Sequence, residues 1–169
     1  ANLPNGDLAG GQVILGLRSG LNLYANVRPI KLYTGVKHKI HDNFTQVWSP
    51  DKVDLLVLRE NTEGLYHSLL RRSALRAQGI EPEEVEEMEF GGIEGEVAWD
   101  ARPISVNGSK KLIRLGFEYA KRRNGSPSTG ESGVTCVDKS NVTRGCQLFR
   151  RVFNEVGEEY PDIGKDTAY

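Results

Sequence analysis

Three arginines, Arg18, Arg28 and Arg59, stand at or near the ends of apolar stretches. A guanidinium is always charged and offers a planar fork matched to a carboxylate, so three of them converging would hold a di- or tricarboxylate. Three unrelated surface arginines in salt bridges would show the same spacing. Ile14 and Leu15 precede Arg18 by four and three residues, which on a helix gives the guanidinium an apolar wall. Tyr66 closes the stretch "LRENTEGLY" (residues 58–66) after Gly64, which permits a tight turn. A phenol among cations can act as a general acid, although a loop tyrosine more commonly packs or anchors a hydrogen bond. Lys139 falls between the apolar "VTCVD" and a helical pattern, another element end. A lysine whose pKa is lowered moves protons; a solvated one does nothing. Asn141, two residues on, is placed to cap that helix. His38, His41 and His67 make no recognisable ligand cluster, and Cys136 and Cys146 lack metal-ligand spacing and read as packing thiols of a reducing compartment.

The elements that must carry these residues can be read from periodicity. Val13, Ile14, Leu17 and Leu21 recur at helical spacing, predicting a short amphipathic helix after the loop-like "ANLPNGDLAGG". "NLYANVRPIKLY" reads as extended, with Pro29 marking an edge or a bend. A polar connector is expected from Thr34 to Pro50, then "VDLLVL" as a buried strand whose end discharges the polar "RENTEGLY". The charged run containing "EPEEVEEMEF" is expected to be a solvated loop or helix face, and "GEVAWDARPIS" a strand or projecting hairpin. A helix is predicted from Ser109 to Arg123, stopped by Asn124-Gly125, with three basic residues at its C-terminal end. After the loop "SPSTGESG", "VTCVD" is expected to be a short buried strand. Val142, Cys146, Phe149, Phe153, Val156 and Tyr160 then predict a helix ended by Pro161. Strands alternating with helices make the fold class α/β.

The 169 residues suffice for one core, and the formal net charge of -1 gives no reason to expect nucleic acid or an anionic membrane as partner. No apolar run approaches the ~20 residues of a membrane span, and no leader pattern opens the chain. The chain begins and stops without caps or tail, as though cut from something longer.

"LRSGLNLYANVRPIKLY", "LRENTEGLY" and "VTCVDKSNVTRGCQLFRRVFNEVGEEYPDI", in this order, resemble the β-decarboxylating 2-hydroxyacid dehydrogenases, the isocitrate/isopropylmalate dehydrogenase family. The resemblance implies a three-layer α/β fold with a small antiparallel arm at a dimer interface. It implies a cytoplasmic enzyme in which a 2-hydroxy di-acid bound to Mg2+ or Mn2+ loses hydride from C2 to NAD or NADP, then carbon dioxide, and is reprotonated. By the same resemblance Arg18, Arg28 and Arg59 grip the substrate carboxylates, and Tyr66 protonates the enol. Lys139, reaching across a homodimer that shares its active sites, assists removal of the hydroxyl proton, and Asn141 lies near the nicotinamide. The family's metal-binding aspartates and its cofactor loops correspond to no residue here, which makes 1–169 the central, dimer-forming portion, inactive by itself. Gln12 and Ile14, followed by Leu15, fall where isocitrate-type members carry Ser and Asn; Ile14 and Leu15 make an apolar pocket instead, so a 3-isopropylmalate-like substrate is expected, with tartrate, D-malate, isocitrate and homoisocitrate as alternatives. A non-catalytic regulatory subunit or a dimerisation and anion-binding fragment is the alternative of another class. The kept Tyr66 and Lys139 favour the enzyme.

Overall fold

The computed structural model describes residues 9–67, 78–79, 85–87, 95–98 and 100–169. Two compact units divide the chain: residues 1–24 with 61–105, and residues 25–60 with 106–169.

In the first unit the expected amphipathic helix is α1 (Ala9–Gly20). Its end is a Schellman closure. Asn22 takes the left-handed conformation (φ 50°), the Leu23 N–H donates to the Arg18 carbonyl (2.8 Å), and the Asn22 N–H donates to Ser19 (3.1 Å).

The second unit contains β1 (Ala25–Lys31), paired antiparallel with β4 (Asp54–Glu60) in the register Ala25↔Glu60 to Lys31↔Asp54. Pro29 sits inside this ladder opposite Leu56, which a two-stranded ribbon tolerates because both strands are edges. The expected polar connector between them is a correction: it folds into a small hairpin, β2 (His38–Ile40) against β3 (Asn43–Thr45). His41 and Asp42 both have positive φ (47° and 63°), as a two-residue hairpin loop of matching twist requires. The strand "VDLLVL" is not buried on both faces. Leu56 and Leu58 are partly buried, whereas Leu55 and Val57 are exposed, so only one face of the ribbon is covered by the second unit.

That covered face meets α2 (Val106–Arg122), which begins three residues before the predicted start. Gly116 lets the helix come close, since a Cβ there would lie 3.6 Å from Leu58 and 3.7 Å from Val134. β7 (Gly133–Val137) runs into α3 (Arg144–Gly157) and returns as β8 (Gly164–Ala168), parallel to β7. A parallel pair needs such a helical crossover. The strand β8, "GKDTA", is polar and largely exposed, and no apolar periodicity announces it. Of β7 only Cys136 is fully buried. α3 stops at Gly157, short of Pro161, and Val142 lies exposed before it.

The core of this unit joins Ile113, Phe117 and Ala120 of α2 to Val152, Phe153 and Val156 of α3, with Cys136 and Ile163. Phe117 stacks on Phe153 (ring centroids 5.6 Å apart) and on Tyr160 (4.9 Å). An Arg114–Glu159 fork (2.8 and 3.1 Å) and a Tyr160 hydroxyl donating to Glu118 (3.1 Å) tie α2 to the chain after α3. Arg123 bonds the Asp54 carboxylate at 2.7 Å and so fastens the end of α2 to the start of β4; this hydrogen bond holds the Asp54 carboxyl below its ordinary pKa.

In the first unit, β5 (Val85–Glu87) pairs antiparallel with β6 (Glu96–Ala98). The remainder of the expected charged segment at 71–89 lies outside the described residues, apart from 78–79. Among the described residues no helix is long and apolar enough to cross a membrane.

Candidate active site

Two residues from separate motifs meet in the first unit. The Schellman closure fixes Arg18 in the last turn of α1, and its guanidinium lies over the Tyr66 ring, 5.1 Å from the centroid. That is within cation–π range. Leu15, one turn before, is buried, while Ile14 is half exposed, so the two have different surroundings.

The loop before Tyr66 spends most of its polar groups on architecture. Buried Asn61 donates its backbone N–H to Tyr24 and its side-chain Nδ2 to Leu23, each at 3.0 Å, clamping the stretch that follows α1. The Glu63 carboxylate accepts from the Ser105 N–H (2.8 Å) and hydroxyl (2.5 Å). Gly64, at φ 72°, donates to the Pro103 carbonyl (2.9 Å). Asn61 and Glu63 escaped the sequence reading as positioning residues because a polar loop looks the same whether its groups face a ligand or the backbone.

The other two arginines share one face of the β1–β4 ribbon. Arg28 pairs with Val57 and Arg59 with Asn26, so Asn26, Arg28, Val57 and Arg59 point the same way, the two guanidiniums on a diagonal. Asn26 lies opposite Arg59 and accepts from Arg28 Nε (3.2 Å). It too was missed, and the N-x-R spacing on a strand was the available signal. This face can meet a carboxylate with two positive forks, and the exposed Leu55, Val57 and Ile30 extend it as an apolar strip.

Lys139 and Asn141 lie in the turn between β7 and α3, both exposed. Asn141 is not the helix cap. Thr143 holds that position, without a side-chain capping bond, and its hydroxyl donates instead to the Lys139 carbonyl (3.4 Å). The same carbonyl accepts the N–H groups of Val142 (3.0 Å) and Thr143 (2.9 Å). Asp138, just before Lys139, has an almost wholly buried side chain that receives a two-point bond from Arg150 (2.8 and 3.1 Å), with the Ser140 N–H (2.6 Å) and the Cys136 thiol (3.4 Å). Burial alone would raise the Asp138 carboxyl; the Arg150 fork and Ser140 outweigh it, and the carboxyl lies below its ordinary value. Burial first, and Asp138 second, push the Cys136 thiol up to about 12. Both cysteines are buried and neither is in a disulfide, as packing thiols should be.

A family model described as isocitrate/isopropylmalate dehydrogenase matches residues 4–169. The 3-isopropylmalate/3-methylmalate dehydrogenase of Methanocaldococcus jannaschii is 34% identical over 158 residues, covering 93% of this chain and 38% of that protein. The isocitrate dehydrogenase (NADP) of Rickettsia prowazekii is 30% identical over 151 residues, 89% of this chain and 24% of its own length. The crystal structure of isocitrate dehydrogenase from Methylococcus capsulatus superposes with a TM-score of 0.63 at 29% identity, covering 99% of this chain and 40% of that one. The chain thus spans well under half the length of each. The α/β elements, the order of the motifs and these matches agree: this chain belongs to the isocitrate/isopropylmalate dehydrogenase family.

Proposed function

We propose that the chain is the substrate-gripping and acid–base portion of an NAD(P)-dependent dehydrogenase that oxidatively decarboxylates a 2-hydroxy di-acid, 3-isopropylmalate or a close analogue. The Arg18–Tyr66 contact carries this reading: it couples a carboxylate-binding cation to a proton-donating phenol across two motifs. Arg28 and Arg59, on their shared face, grip carboxylate oxygens, and fixed cations need no reorganisation as charge develops. Lys139 accepts the hydroxyl proton as hydride leaves C2. Tyr66 returns a proton to the carbon that has lost carbon dioxide. Asn141 faces the nicotinamide, and a homodimer shares the active sites. Mg2+ or Mn2+ would supply Lewis-acid polarisation of the hydroxyl. Among the described residues no group of three His, Cys, Asp or Glu side chains is placed to hold a metal ion.

The test is an assay of the full-length polypeptide with NAD and NADP, with either cation, across 3-isopropylmalate, D-malate, tartrate and isocitrate. The 3-isopropylmalate reaction should have the highest kcat/KM. Tyr66→Phe should impair decarboxylation by on the order of a hundredfold or more while leaving substrate KM nearly unchanged, the usual weight of one general acid. Lys139→Met should suppress hydride transfer by a similar factor. Wild-type rates in both variants would sink the reading.

A further inference from the structure

We infer that Asp138 and Arg150 are positioning residues for Lys139, acting through the backbone of the turn that carries it; the inference rests on the catalytic assignment of Lys139 above. Asp138 directly follows β7 and is the residue before Lys139. Its carboxylate is only 2% exposed and takes Arg150 Nε, Arg150 Nη2, the Ser140 N–H and the Cys136 thiol. With its oxygens so engaged it has no role as a base or a ligand. What it does hold is the chain direction at residue 140.

Arg150 belongs to α3, in its second turn, and its guanidinium does more than neutralise Asp138. It donates to the Ala168 carbonyl (3.1 Å) and lies over the Tyr169 ring (4.8 Å), while the Asp138 N–H also donates to Ala168 (3.2 Å). One planar group therefore fastens the ends of both parallel strands to the helix between them. The far side of the turn is held independently, because Gln147 of α3 donates to the Ser140 carbonyl (3.0 Å) and the Lys139 carbonyl closes on residues 142 and 143. The bonds to the Ser140 N–H and to the Ser140, Lys139 and Ala168 carbonyls fix main chain, and the Lys139 and Asn141 side chains are left exposed beyond it. A reacting lysine needs its nitrogen placed to within a fraction of an ångström, and a fork on a buried carboxylate fixes the main chain from which that nitrogen extends, where a flexible lysine–carboxylate pair would not.

The experiment is a double-mutant cycle in the full-length polypeptide: Arg150→Met, Lys139→Met and the two together. Arg150→Met should lower kcat about ten- to a hundredfold, the cost of misplacing a catalytic group, with KM for the hydroxy acid changed by less than about threefold. The double variant should be no slower than Lys139→Met alone, because Arg150 acts only through Lys139. An Arg150 cost that persists in full when Lys139 is already Met overturns the inference and leaves the catalytic assignment standing. A Lys139→Met enzyme with wild-type turnover overturns both. Where Arg150→Met does not fold, Arg150→Lys, which keeps the charge and loses the fork, carries the same cycle.

Discussion

A guanidinium over a phenol ring raises the question of which interaction matters more, the ring or the substrate. At a partly exposed site a cation–π contact contributes about 0.5–1 kcal/mol, roughly a fivefold effect at most. Arg18→Met should therefore cost no more than about that factor if the ring is the whole story, and much more in KM if Arg18 also grips a carboxylate. Steady-state kinetics on the di-acid decides between the two. The buried Asp138 offers a second prediction, for which the sign follows from its lowered carboxyl pKa. A group depressed on folding adds stability above its unfolded value of about 3.9, and that stability fades as pH falls through the folded value. Wild type should thus melt well above Asp138→Asn at neutral pH, and the gap in Tm should close below about pH 4.

At the scale of elements, α3 and α2 hold the second unit together through Phe117, Phe153 and Val152, all essentially without solvent. Phe117→Ala removes the ring on which Phe153 and Tyr160 both stack, and should cost about 3–5 kcal/mol in denaturant unfolding. Gly125→Ala should also destabilise, since φ is 77° there and an added Cβ would fall 2.2 Å from the Gly130 carbonyl oxygen, a backbone atom that cannot step aside. The helices were legible in the sequence because their apolar residues repeat along one face: α1, α2 and α3 fall near their predicted spans. β1 and β4 were legible as extended runs, but not that β4 leaves Leu55 and Val57 in solvent, since apolar content alone does not say which face is covered. The hairpin β2–β3 and strand β8 were missed because their signals, a His-Asp turn and the polar "GKDTA", depend on backbone conformation and a distant partner strand. Among the candidate residues, motif order singled out Arg18 and Tyr66; the contact between them, and the roles of Asn26 and Asn61, needed the three-dimensional register.

For the whole molecule, the second unit leaves Tyr33, Phe44 and Trp48 largely in solvent, with Ile30, Leu55 and Val57 along one ribbon face. Apolar surface of this extent is costly in water and is ordinarily covered by further protein. The 169-residue chain expressed alone should accordingly self-associate and bind a hydrophobic dye, as sedimentation and fluorescence would show, and should not reduce NAD or NADP. The full-length polypeptide, whose curated relatives are more than twice as long, should lose the dye signal and gain the activity.

The thiol under Asp138 has a practical use. Pushed up to about 12 and only 3% exposed, Cys136 carries almost no thiolate at neutral pH and is shielded from alkylation while it stays buried. Alkylation of Cys136, followed by mass spectrometry in a Cys146→Ala background, is then a clock. Each event counts an opening of the packing around Cys136, beneath the turn that bears Lys139, and the frequency of those openings becomes measurable in solution with no introduced probe site.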